Sequence, residues 1–284
     1  MSKATLPTLF IPHGGGPCFF MDWPGDPHMW DHMAYFLRSV RHTIGTVPKA
    51  ILIISGHWEE DTFTVGTGAH PELIYDYYGF PSHTYQLEYA APGAPELALR
   101  VESLLNDAGL PTRTDNQRGW DHGVFIPLKV MFPEAEIPVV QLSMKKGLDP
   151  AEHLRAGAAL QTLRDEGVLI IGSGMSFHNM RGFSPAFHDA SAAFDDWLAD
   201  MAQQSQDVRN AMLQDWQNAP YARQVQPHPD HLLPLMVAAG AAGEDTGTRV
   251  FQDKVMNVVV SALAFGEFDS LKNATDTAEE ARAA

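Results

Sequence analysis

Short unbroken apolar runs alternate along the chain with stretches in which apolar residues recur every three or four positions, the pattern of buried strands exchanged with amphipathic helices. Residues 8–11, 51–55, 137–142 and 168–171 read as buried strands, with 63–65 as a neighbour and 255–263 as a last strand. Helical spacing covers 27–43, where Trp30, Met33, Phe36, Leu37 and Val40 share a face, and 95–108, where Leu97, Val101, Leu104 and Leu105 do so ahead of a stop at Gly109. Further helices are predicted over 124–132, over 150–166 after Asp149, over 185–216 and over 232–239. Residues 66–93 fit neither period. Tyr75, Tyr77, Tyr78, Phe80 and Tyr85 make that stretch too aromatic for a disordered linker, so an ordered loop or hairpin covering a site is predicted. The alternation defines an α/β protein: a single domain over 1–272 with a mixed, largely parallel central sheet flanked by helices, followed by a polar flexible tail at 273–284.

Composition changes the picture of function more than that of fold. A net charge of −16 without any Lys/Arg-rich run argues against nucleic acid as a partner. The single cysteine, Cys18, excludes an intramolecular disulfide and a Cys-rich zinc site. No apolar run approaches the ~20 residues of a membrane helix. The first residues lead into the first strand without a signal-peptide pattern, so the expected location is cytoplasmic. Histidine stands out, with 13 copies.

Three of the strand-like runs end alike. Residues 9–12 run into His13-Gly-Gly-Gly16, residues 50–55 into Gly56-His57-Trp58, and residues 168–171 into Gly172-Ser-Gly174 with His178 shortly after. Open α/β sheets bind ligands outside the carboxyl ends of their strands, so three such ends predict one shared site. Neutral imidazoles suit Fe, Zn or Cu, whereas Mg or Ca would need oxygens. The alternative for His13 and His57 is a pair of hydrogen-bonded rim histidines. His231, at a helix start after Pro229-Asp230, is the natural third ligand, with His228 and Asp230 in competition and a helix N-cap as the other role for Asp230. His178 is placed as a ligand or a nearby general base, and His122 as a hydrogen-bonding partner of substrate or bound oxygen, or as a structural turn residue.

Other signals are weaker. His28 and His32 have the spacing of a zinc helix but Met29 stands where that motif has glutamate. His13-Gly-Gly-Gly16 copies an esterase oxyanion loop, yet no Gly-x-Ser-x-Gly supplies a nucleophile, and Cys18 reads as buried and inert.

With these residues in hand, the chain resembles the LigB-like extradiol ring-cleavage dioxygenases, in their DOPA-dioxygenase branch. The matching segments are Phe10-Ile-Pro-His13-Gly-Gly-Gly, Ile54-Ser-Gly-His57-Trp, Tyr89-Ala-Ala-Pro-Gly-Ala-Pro95, Gly119-Trp-Asp-His122-Gly, Ile137-Pro-Val-Val-Gln-Leu-Ser143, Gly172-Ser-Gly-Met-Ser-Phe-His178-Asn and Pro229-Asp-His231-Leu-Leu-Pro-Leu235, in family order. The resemblance implies that His13, His57 and His231 hold the metal, that His178 is a fourth ligand or the acid/base, and that His122 lines the substrate pocket. Ring-cleavage enzymes outside the branch use two histidines and a glutamate, and here His231 takes the third position. The branch is associated with Fe(II) and with Zn(II), and only iron accounts for dioxygen chemistry. The implied activity is cleavage of a catechol-type substrate by O2 to a muconic semialdehyde, with a homo-oligomer left open. A zinc hydrolase built on the same histidines is the alternative.

Overall fold

The apolar runs become strands of a single sheet. A computed structural model describes residues 5–268, so the tail expected at 273–284 and the domain end expected at 272 lie outside the described residues. The strands are β1 (Thr8–Pro12), β2 (Ala50–Glu60), β3 (Phe63–Gly66), β4 (Thr112–Asp115), β5 (Val139–Lys145), β6 (Val168–Gly174), β7 (Gly247–Val255) and β8 (Val258–Phe265). The helices are α1 (Asp31–Thr43), α2 (Pro95–Asp107), α3 (His122–Met131), α4 (Pro150–Leu160), α5 (Leu163–Glu166), α6 (His188–Ala202), α7 (Gln206–Gln214), α8 (Ala222–Val225) and α9 (Leu233–Ala242). Among the described residues no helix is long and apolar enough to cross a membrane.

The sheet runs β4-β3-β5-β2-β6-β1-β8-β7. Its central four strands, β5, β2, β6 and β1, are parallel, while β3 and β8 join them antiparallel from either side. The central strands are covered on both faces, which is why their sequences are continuously apolar rather than alternating. Adjacent residues of β6 show the two layers. The Ser173 hydroxyl donates to the carbonyl of Gly123 in α3, whereas Gly172 faces Pro234 in α9. Helix α4 packs behind α9.

Several boundaries differ from the sequence reading. Helix α1 begins only at Asp31, because the Asp26 carboxylate accepts the His28 N–H and holds the preceding residues in a turn. The segment 150–166 divides into α4 and α5, and 185–216 into α6, α7 and a 3-10 turn at Trp216–Asn218. The strand expected at 255–263 is the second arm of a hairpin, β7–β8, turning through Met256 and Asn257 with φ of 46° and 71°. Strand β2 does not stop at Ser55 but runs on to Glu60. Its pairing with β5 breaks between Ile54 and Glu59, and its pairing with β6 ends at Ser55. His57 therefore sits in a bulge, a feature that re-aims a side chain at the edge of a ladder.

Candidate metal centre

Each histidine reaches the carboxyl edge of the parallel strands by a different local device. His13 follows β1, and its N–H donates to the Gly174 carbonyl (3.2 Å), prolonging the ladder with β6 by one residue. His57 is presented by the bulge of β2. His231 ends the 3-10 turn Pro229–His231 that opens α9, and its carbonyl accepts the Met175 N–H (3.0 Å). That approach requires Gly174: a Cβ there would run into the His231 carbonyl oxygen. His122 is the first residue of α3, and His178 lies in the loop after β6, its N–H bonded to the Val225 carbonyl (3.1 Å).

The imidazole nitrogens converge. His57 Nε2 lies 3.2 Å from His13 Nε2 and 3.2 Å from His231 Nε2. Two imidazole nitrogens held at about 2.1 Å from one ion stand roughly 3.0 to 3.4 Å apart, so the donor set fits a transition metal. The outer nitrogens support that reading. The Ser173 hydroxyl has given its hydrogen to Gly123, so its lone pair accepts from His13 Nδ1 (3.2 Å) and leaves His13 Nε2 bare. His231 Nδ1 faces Asp230 Oδ2 at 3.2 Å and His57 Nδ1 faces Asp76 Oδ2 at 3.7 Å, the carboxylate backing common behind metal-bound imidazoles. Burial, with neighbouring imidazoles adding to it, holds His13 and His57 well below the usual imidazole range. Burial likewise lowers His231 to about 4 against the opposing pull of Asp230. At neutral pH these rings are uncharged and offer lone pairs.

Two more histidines join them. His122 stands beside His57 with ring centroids 4.0 Å apart, and His13, His57 and His122 also offer nitrogens within 4.8 Å of one another. His122 differs from His231 in that its Nδ1 is tightly bonded to Asp76 Oδ1 (2.8 Å) and its backbone N–H to the same oxygen (2.9 Å). His178 stacks on His231, with centroids 3.4 Å apart and planes 18° from parallel. His178, Asp230 and His231 also offer ligand atoms within 4.8 Å of one another. Burial pushes the Asp230 carboxyl up, but the hydrogen bonds and charges of His178 and His231 outweigh it and hold Asp230 far below the usual carboxylate range. For Asp76, burial is likewise outweighed by the bonds from His122.

The irregular segment 66–93 forms a wall over this edge. Tyr77 sets its ring edge-on to His122 (5.8 Å) and Phe80 packs against Gly16, with Trp23 between Phe80 and Trp30. Asp76, in the same segment, was not visible in the sequence: it sits 46 positions from His122, and Tyr75-Asp76-Tyr77 gives no signal of that partner. Asp230 caps no helix; it lies among His178, His228 and His231. His28 pairs with Asp31 and His32 packs on Phe251, so those two serve α1 and its neighbours. Cys18 is buried, and burial raises its thiol far above the usual range.

Imidazole lone pairs focused at the carboxyl edge of a largely parallel α/β sheet define a non-haem metal enzyme. The chain belongs to the LigB family, matching the catalytic LigB subunit of aromatic ring-opening dioxygenase over residues 7–266, and is an extradiol ring-cleavage dioxygenase. It is 45% identical over 227 residues to the 4,5-DOPA dioxygenase extradiol of Beta vulgaris, covering 77% of this chain and 82% of that protein. It is 33% identical over 251 residues to the 4,5-DOPA dioxygenase extradiol of Escherichia coli K12, covering 85% and 87%. A crystal structure of an uncharacterized protein from Escherichia coli K12 superposes with a TM-score of 0.73 at 27% identity, over 92% of this chain and 100% of that one.

Proposed function

We propose that the protein is an Fe(II)-dependent dioxygenase that opens the ring of a catechol next to its diol, with His13, His57 and His231 as the metal ligands. The observation that carries this reading is the position of His57 Nε2, 3.2 Å from both His13 Nε2 and His231 Nε2. Bound iron would supply the positive charge that lowers the pKa of the catechol hydroxyls and the redox centre that dioxygen chemistry needs; zinc would supply only the first.

The remaining work belongs to this chain's own side chains. His178 has Nδ1 facing Asp230 Oδ1 at 3.5 Å, so Nε2 is the nitrogen that takes a hydroxyl proton from the catechol and returns it as the ring opens. The Asp230 carboxylate offsets the charge on His178 while the proton is held there. His122 meets the second hydroxyl or the incoming oxygen. Tyr77, Phe80, Trp23 and Trp30 bound the crevice with apolar surface, orienting an aromatic ring and excluding water. In the balanced reaction one ring carbon–carbon bond breaks and both atoms of O2 enter the product, a muconic semialdehyde.

The test is a panel of catechols, DOPA among them, given to iron-loaded protein in an oxygen electrode. One O2 consumed per catechol with a yellow product supports the reading; no uptake with any member of the panel rejects it.

A further inference from the structure

The carboxylate of Asp76, partly open to solvent, is the one acidic group among the described residues whose two oxygens face two different histidines of the cluster from the aromatic segment. Oδ1 accepts both the Nδ1–H and the backbone N–H of His122, at 2.8 and 2.9 Å, while Oδ2 lies 3.7 Å from His57 Nδ1. The backbone bond fixes the carboxylate at the first turn of α3, where a negative charge also meets the positive end of the helix. With its position fixed there, the carboxylate dictates which nitrogen of His122 carries the hydrogen: Nδ1 must donate, so Nε2 is left as a bare acceptor.

We infer that Asp76 is a positioning residue for ring cleavage: it holds His122 in the Nδ1–H tautomer, so that His122 receives a hydrogen bond from a substrate hydroxyl instead of donating one. This rests on the proposed meeting of His122 with the substrate. The tautomer matters because a neutral imidazole of the opposite tautomer would aim an N–H at a hydroxyl and accept nothing from it. Asp76 ties two further parts together. Its neighbours Tyr75 and Tyr77 carry the wall of the crevice: Tyr75 hydroxyl donates to the Leu87 carbonyl (2.6 Å), Tyr77 hydroxyl to the Thr84 carbonyl (2.6 Å), and Tyr77 packs on His122. The same residue that sets the tautomer therefore anchors the substrate wall to α3. The aromatic segment acts as a fixed wall whose docking and whose hydrogen-bond polarity are set at one carboxylate.

Three forms of the protein test this: wild type, Asp76→Ala and Asp76→Asn. The asparagine carbonyl still accepts from Nδ1–H, so it separates the hydrogen bond from the charge. The readouts are metal content per chain, kcat and KM for a catechol with iron-loaded protein, and long-range proton–nitrogen NMR of 15N-histidine protein loaded with zinc, the His122 signal being identified by its loss in His122→Ala. The expected result is an Nδ1–H tautomer at His122 in wild type and Asp76→Asn and its loss in Asp76→Ala. Loss of a carboxylate that orients a site imidazole typically costs about 10- to 100-fold, so kcat/KM per bound metal falls by that much in Asp76→Ala and by less in Asp76→Asn. An Nε2–H tautomer in wild type, wild-type kcat/KM in Asp76→Ala, or equal losses in the two variants overturns the inference. The NMR result stands whether or not any catechol turns over, so it separates failure of this inference from failure of the proposed reaction.

Discussion

His57 is the hinge of the site at the residue scale, because its Nε2 is 3.2 Å from two other bare imidazole nitrogens. His57→Ala removes the shared contact, and metal content measured after dialysis falls from one equivalent to near zero. His122→Ala and His178→Ala keep the metal. In His178→Ala turnover drops by about 10²- to 10⁴-fold, the usual worth of a positioned acid/base. Loss of metal in His122→Ala, with retention in His231→Ala, would instead make His13, His57 and His122 the ligands. Outside the site, buried His153 donates from Nδ1 to the Asp149 carbonyl (2.7 Å) and accepts the Lys145 N–H at Nε2 (3.2 Å). Protonating Nε2 would set one N–H against another, and burial lowers this imidazole to about 4. The unfolded chain, with a histidine pKa of ~6.5, binds the proton first. Stability is thus complete above that value and declines as pH falls toward 4, by on the order of 3 kcal/mol. Denaturant unfolding of metal-free protein between pH 7.5 and 5 shows a steeper loss for wild type than for His153→Gln; parallel profiles contradict the assignment. The candidate histidines were legible because each follows an apolar run or a Gly/Pro-marked turn. Asp76 was not, since its partners are set by the path of a segment that obeys no period.

The elements show where local pattern suffices and where it fails. The central strands announce themselves because burial on both faces demands unbroken apolar runs. Edge strands answer to weaker rules: β4 is Thr-Arg-Thr-Asp, with no apolar residue to mark it, and β7 buries only Gly247, Phe251 and Val255. The bulge in β2 was hidden for another reason. Gly56-His57 looks like the end of a strand from sequence, and only pairing with β5 beyond Glu59 shows the chain resuming. On the opposite face, the glycine at 174 is what lets the turn carrying His231 settle on β6. Gly174→Ala forces β6 and the start of α9 apart. Overpacking of this kind costs about 1–3 kcal/mol, read as a lower denaturation midpoint, together with weaker metal binding as His231 is displaced. A variant with wild-type stability and metal affinity would show that the close approach is dispensable.

For the whole molecule, the α/β class and the parallel centre followed from the alternation of elements, whereas the order β4-β3-β5-β2-β6-β1-β8-β7 could not, because it depends on which strands meet across the sheet. That order brings β1, β2 and β6 side by side, and so gathers histidines 44 and 174 positions apart in sequence into one cluster. The central claim is that this cluster holds iron and opens a catechol ring. Metal-free protein loaded anaerobically with Fe(II), or in parallel with Zn(II), is given a catechol under 18O2 and the product is weighed by mass spectrometry. The expected outcome is a ring-opened product carrying both labelled oxygen atoms with iron and no product with zinc. An inert iron form beside a zinc form that hydrolyses esters or amides would contradict it.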